Sequence, residues 1–251
     1  PLPAASAGAV GRPGLAGADI AFEANQAGGQ ARLAMNGGTL VFPGVFEEPT
    51  IALDTLSARL DWRVQPGAAG APSAIELKVS DAQFANADAQ GDLRATWRTG
   101  KGTGFGPGAR LPGEIDLSGR LVRARGERVA AYLPQGIPAR ARHYVGRAIK
   151  AGQIDSATFA VKGDVWRFPF HGVRDGVFRI AAQVRDVQFD YLPSVEPGAD
   201  EPAWVSPWPG FSSVRGELLF DRSSLRINAA QARLWGVQLR NVQARIDDLT
   251  H

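Results

Sequence analysis

The chain contains no cysteine, so neither a disulfide framework nor a thiolate metal site is open to it. Histidine is almost as scarce. The three present, His143, His171 and His251, lie far apart in sequence, which argues against metal chemistry and leaves no expected cofactor. No apolar run approaches the ~18 residues that mark a membrane-spanning helix, and no basic-then-apolar segment opens the chain as a signal would. An excess of one charge is lacking too: 28 basic against 25 acidic residues leave +3, a mixed surface rather than a nucleic-acid footprint.

Catalytic signatures are equally thin. Glu47-Glu48 and Asp247-Asp248 are sequence neighbours, and neighbours on a strand point to opposite faces, so neither pair is placed to act on one substrate atom. Ser156 follows Asp155 without a Gly-x-Ser-x-Gly elbow, and a role with His143 or His171 would rest on coincidence; His171 is expected to hydrogen-bond near a turn. The run from Gly100 to Gly108 contains Lys101 but lacks the Lys-Ser/Thr ending and helix start of a phosphate loop. It reads as a flexible hairpin loop. No enzymatic activity is expected.

What the 251 residues do hold is alternation, in a chain long enough for one large β domain or two smaller ones. Ile20 and Phe22, then Ala31, Leu33 and Met35, then Leu40 and Phe42 read as short strands with turns at Gly28-Gly29 and Gly37-Gly38. Ile51 and Leu53, and after a shift Leu56 to Val64, keep one apolar face. Similar strands follow around Ile75 to Val79, with a bend at Asp81, then Leu93 to Trp97 and Ile115 to Leu121. Trp166, Phe168 and Phe170 alternate across Pro169, which suggests an edge strand or bulge. After Gly176 the apolar parity reverses between Val184 and Val187, predicting a β-bulge near Arg185-Asp186. Leu192 to Pro209, rich in proline and carrying Trp204 and Trp208, reads as a surface loop. Five short strands are expected from Val214 to Ile246, with Gly236 and Asn241 as turn or bulge positions.

One helix interrupts this pattern. Pro138 suits a first helical turn, Ala141, Tyr144, Val145, Ala148 and Ile149 share a face, and Gly152 sits where the helix should stop. Glu127 to Tyr132 is a candidate helical turn just before it. The other face carries Arg140, Arg142, His143, Arg147 and Lys150 with no acid among them: a solvated surface, or one that meets anionic lipid or a partner. So little helix cannot cover so much one-sided apolar sheet. Pattern alone favours a β-sandwich or closed barrel, with a curled trough as the alternative.

Tyr132-Leu-Pro, Ile137-Pro, the helix, Gly152-Gln-Ile, Gly163-Asp-Val-Trp-Arg-Phe-Pro-Phe, Gly176-Val-Phe-Arg-Ile, Trp208-Pro and Gly216-Glu-Leu-Leu-Phe, in that order, resemble the YhdP proteins, large AsmA-like envelope proteins of Gram-negative bacteria. The resemblance covers Glu127 to the C-terminus; before it, the chain is alike only in its repetitive β character. This splits the chain into a repetitive antiparallel region, 1–126, and a helix-containing β region, 127–251, which can equally be one continuous domain. The start at Pro-Leu-Pro-Ala-Ala, in mid-pattern, points to a segment of a longer chain. The resemblance implies a periplasmic location, an inner-membrane anchor elsewhere in the full protein, and many antiparallel strands curled into an elongated hydrophobic groove. That groove would carry phospholipid between the inner and outer membranes, with acyl chains as its partners. Phe159, Phe178, Ile180, Leu218 and Phe220 are the groove candidates, and Arg142 and Arg147 the candidates for headgroup or partner contact. The competing reading is a structural or regulatory envelope module with a closed core; a weaker one is a sugar-binding β domain using Trp204 and Trp208.

Overall fold

In the computed structural model the described residues are 11–68, 71–170, 172, 174–196 and 203–248. They form one antiparallel sheet of eleven strands in strict chain order: β1 (Gly14–Asn25), β2 (Gly28–Val41), β3 (Thr50–Gln65), β4 (Ala74–Ala85), β5 (Ala89–Arg98), β6 (Glu114–Arg125), β7 (Ile149–Asp164), β8 (Gly176–Phe189), β9 (Phe211–Asp221), β10 (Ser224–Leu234) and β11 (Val237–Ile246). β1 and β11 do not pair with each other, so the sheet is open, neither sandwich nor barrel. The pattern-based preference for those closed forms is thereby corrected in favour of the curled groove. The sheet also runs without a break across residue 126, because β6 is hydrogen-bonded to β7.

Register turns one-sided alternation into one continuous surface. Leu93, Gly119, Phe159, Ile180, Phe220 and Leu225 are successive partners from β5 to β10. Leu60, Val79, Ala95, Leu117, Val161 and Phe178 form a parallel row from β3 to β8. The opposite face is laid out by charge: Arg63, Glu76, Arg98 and Glu114 are successive partners on β3 to β6. Arg98 Nε donates to Glu114 at 3.0 Å and Lys162 reaches Asp116 at 2.7 Å. Exposed pairs of this kind contribute only about 0–1 kcal/mol each, so their main effect is to favour this register over a slipped one.

The curl comes from residues inserted in mid-strand. Asp81, Asp186 and Asn241 have positive φ, the first two at register shifts, and the sheet bends where the extra residue enters. These insertions also reset parity: Val184 and Val187 both face inward across Asp186, and Ala229 and Ala232 both face inward on β10. The predicted bulge near Arg185-Asp186 is therefore present. Gly37-Gly38, expected to be a turn, instead lies inside β2, where Gly37 (φ 76°) faces the bulge at Gly17 (φ 78°) of β1. The five strands expected after Val214 are three longer ones, because the parity changes that suggested breaks are bulges within β10 and β11.

Between β6 and β7 the chain leaves the sheet as a helical hairpin: a 3-10 segment (Gly126–Tyr132), a connector, and α1 (Ala139–Ala148). Pro138 occupies the N-cap position of α1. Leu133, Ile137, Ala141 and Ala148 are buried. The first three pack with Phe170, Phe178 and Leu225, and Tyr144, Val145, Ile180, Leu218 and Phe220 pack around that cluster. The hairpin thus lies on the apolar face of the sheet. α1 stops at Ala148 rather than at Gly152, and Ile149 and Lys150 already belong to β7. Gly152 has φ 146°, and a Cβ there would come within 2.7 Å of Val187; it serves a strand irregularity, not a helix end.

Two loops also differ from expectation. Trp166 to Phe170 is not a strand: residues Val165–Arg167 form a 3-10 turn capped by Asp164, and both Phe168 and Phe170 pack against the hairpin cluster. The glycine run joins β5 to β6 with no helix after it, and is tied down by Gly102 N to Gly108 O at 3.1 Å and Gly108 N to Asp164 Oδ2 at 3.1 Å. Glu47 and Glu48 lie in the β2–β3 turn, so the opposite-faces argument does not apply to them. His171 and His251 lie outside the described residues.

Phe170 is fully buried whereas Tyr144 is only half-buried, which separates their predicted contributions. Phe170→Ala should lower unfolding free energy by about 3–5 kcal/mol, as for other buried aromatics, and Tyr144→Ala by roughly half of that. Urea denaturation of the two variants measures the difference; equal losses would mean that the hairpin packs as tightly as the core beneath it.

Candidate functional site

Beneath the hairpin, between it and β8 to β11, the structure leaves a cavity of about 390 Å³. Val129, Leu133, Tyr144, Val145 and Ala148 close it from the hairpin side, and Ile180, Val184, Leu218, Phe220, Ile227 and Val242 from the sheet. No charged side chain lines it. Apart from Tyr144, Gln153, Gln243 and the residues of its mouth, its lining side chains are apolar, so it offers ordered water few hydrogen-bond partners and suits a hydrocarbon occupant. Its mouth is formed by Tyr191, Trp208, Pro209 and Phe211, where the β8–β9 connection meets the sheet. Trp208 is 67% exposed there.

Three of the groove candidates, Ile180, Leu218 and Phe220, line this cavity. Phe178 is on the same face but belongs to the packed cluster, with ring centroids 5.0 Å from Phe168 and 5.4 Å from Phe220. Phe159 also faces inward, one strand further back; its ring lies over Gly119, where an added Cβ would stand 2.5 Å from Phe159 Cζ. On the β1 to β5 side the apolar face is only partly covered: Leu33, Leu56, Leu60, Trp62, Leu77 and Trp97 are all half-buried, and Phe22 is 69% exposed.

Arg142 and Arg147 lie on the outer side of α1, in a shallow depression shared with Glu47, Glu48, Glu127 and Arg128. Both are half-buried rather than exposed. Arg142 Nη1 donates to the carbonyls of Ile137 (2.7 Å) and Gln135 (3.3 Å), holding the connector against the start of α1. An anionic headgroup at Arg142 would have to compete with those carbonyls and with three neighbouring carboxylates.

A polar cluster not legible in the sequence fixes the other side of the hairpin. Asn86, the one buried polar side chain among the described residues, donates to the Tyr132 hydroxyl at 3.0 Å and the Ala52 carbonyl at 3.2 Å. Tyr132 donates to Asp88 Oδ2 at 2.9 Å, and Arg128 Nε reaches the same oxygen at 3.0 Å. Burial would raise the Asp88 carboxyl, but hydrogen bonds from Arg128 and Tyr132 and the charges of Arg128 and Arg125 outweigh it and hold it below the usual range. Gln135 adds backbone and side-chain bonds to Val45 O (2.8 Å) and Phe46 O (3.1 Å).

Tyr144 faces the cavity and donates to the Tyr191 carbonyl at 3.0 Å. Burial, with a further contribution from Tyr191, pushes its hydroxyl up to about 12. A raised value means that the fold prefers the neutral phenol, so its contribution is complete below the ordinary value of about 10 and is lost as pH rises beyond it. Stability should therefore fall between about pH 10 and about pH 12, and Tyr144→Phe should flatten that fall. Tyr132, also raised by burial, leaves a remaining slope. Denaturant midpoints across that range check this, and an unchanged slope in the variant would contradict it.

No curated protein and no solved structure matches the chain. Among the described residues, no helix is long and apolar enough to cross a membrane. A family model described as YhdP protein matches residues 8–251, nearly the whole length and well beyond the part that carried the motif resemblance. The chain belongs to the YhdP family of AsmA-like envelope proteins.

Proposed function

We propose that this chain is a lipid-carrying segment of a periplasmic path between the inner and outer membranes, and that it holds phospholipid by its acyl chains on the apolar face of the curled sheet. The observation that carries this reading is the uncharged cavity between hairpin and sheet, continuous in register with the half-covered rows of β1 to β5. A chain laid on such a surface gains about 0.8 kcal/mol per buried methylene, enough to hold lipid without any catalytic group. The charged outer face of the same sheet offers acyl chains nothing comparable, which would confine lipid to one side.

A second reading has its own support. The cluster of Leu133, Ile137, Ala141, Phe170, Phe178 and Leu225 is closed, as expected of a structural envelope module. The two readings part on what occupies the cavity.

A photo-crosslinking side chain at Ile180, in protein purified under mild conditions, should capture phospholipid detectable by mass spectrometry. The same probe at Arg179, on the opposite face, should not. Lipid-free protein with no adduct at Ile180 would favour the closed module, and equal labelling at both positions would point to non-specific adsorption.

A further inference from the structure

We propose that the hairpin Gly126–Ala148 is a displaceable stopper: it lies on the stretch of apolar face that an acyl chain would take, and hairpin and chain compete for that surface. This rests on the lipid-carrying reading above. It goes further by assigning the hairpin a role in controlling access.

The hairpin belongs to the sheet in sequence but not in hydrogen bonding. β6 and β7 remain paired down to Arg125 and Gln153 at its base, so lifting the hairpin breaks no strand pairing there. Beyond its two ends, the backbone bond that ties it to the rest of the described chain is Gln135 N to Val45 O. The other contacts that hold it include the bond from the Tyr144 hydroxyl to the Tyr191 carbonyl and two larger sets of side-chain contacts. Leu133, Ile137 and Ala141 use the same inward rows that stay half-covered elsewhere in the sheet. Tyr132, Arg128 and Gln135 latch it to the β2–β3 and β4–β5 turns through Asn86, Asp88, Glu48 and Phe46.

The element is also weak by itself. α1 has ten residues, no side-chain cap at its N-terminus, no acid in its first turn and Gly146 in its interior. An isolated helix of that length is marginal in water, so its order depends on the surface beneath it. Segments of this kind open at free energies well below global unfolding. An apolar ligand offering the sheet equivalent contacts would shift the hairpin toward its displaced state by just the difference in affinity between the two states. The mouth at Tyr191 and Trp208 lies beside the C-terminal end of α1, where Asp190 N bonds Ala148 O at 2.8 Å; the latch is on the far side, so release would widen the cavity away from that end.

The absence of cysteine makes a direct test available. In the 251-residue chain carrying Val45→Cys and Gln135→Cys, oxidation would pin the tip of the hairpin to the β2–β3 turn. A phospholipid with a photoactivatable acyl chain should label the reduced protein and lose that labelling on oxidation, with recovery on reduction. A latch variant, Tyr132→Phe with Arg128→Gln, should exchange amide hydrogens in 126–148 on the order of a hundredfold faster, the scale of its three lost hydrogen bonds, while β7 and β8 keep their protection. Equal labelling of oxidised and reduced protein would overturn the stopper, as would hairpin amides that exchange only together with β7 and β8. If neither redox form is labelled, the lipid reading fails by itself, and the exchange rates still decide whether the hairpin opens separately.

Discussion

An antiparallel sheet with one apolar face must hide that face, and the described residues form no second sheet to hide it against. Eleven strands in sequential order offer two remedies: curl the surface until it partly shelters itself, and lay something across it. Both are used. Mid-strand residues with positive φ bend the strands and restore parity, so the apolar rows stay unbroken from strand to strand. The hairpin then covers β7 to β10, where the buried residues Ala141, Phe170, Phe178 and Leu225 concentrate. Toward β1 most positions of the same rows stay half-exposed, with Met35, Leu53 and Ala82 as buried exceptions.

That asymmetry shapes the energetics. Covering the trough completely would yield a core with ordinary stability and no room for a ligand. Leaving it bare would expose a contiguous apolar surface larger than soluble domains tolerate unless something binds there. The hairpin compromises: it fills one end with aromatic and aliphatic contacts and leaves a void at the other, beside Tyr144 and Val145. The polar latch at Asn86, Asp88 and Tyr132 then sets the hairpin's position with directional bonds, which apolar contacts alone do not supply.

Most of the architecture was legible because period-2 alternation is a direct print of a half-buried strand. Ile180, Leu218 and Phe220 could be assigned to the inward face from alternation and the motif resemblance, and all three border the cavity. Errors arose where a local signal had two physical causes. Gly152 ends helices in many proteins, but here its positive φ serves a strand. Parity changes at Ala229 to Ala232 suggested separate strands, yet a bulge makes the same change without ending one. Phe168 and Phe170 alternate as a strand would, but fold inward after a 3-10 turn, which only the tertiary cluster explains. Nothing in the sequence linked Asn86 to Tyr132, forty-six positions away, because hydrogen-bond pairs across a fold leave no periodic trace. From the sequence Arg142 is a solvated charge or a contact for a headgroup or partner, because a cation opposite an apolar face usually points outward; here the preceding connector supplies carbonyls within its reach.

Strict chain order has a kinetic side as well. Each strand pairs only with its sequence neighbours, so the sheet resembles a linear stack in which every added hairpin repeats the step before it. Such a stack can grow as the chain emerges, with little loop entropy to overcome at any step. The bonds from Gln135 back to the β2–β3 turn, some ninety residues earlier, are the conspicuous departure. Docking of the hairpin is therefore the step with the longest reach, and it converts a one-dimensional array, able to fray from either end, into a unit whose distant strands report on one another.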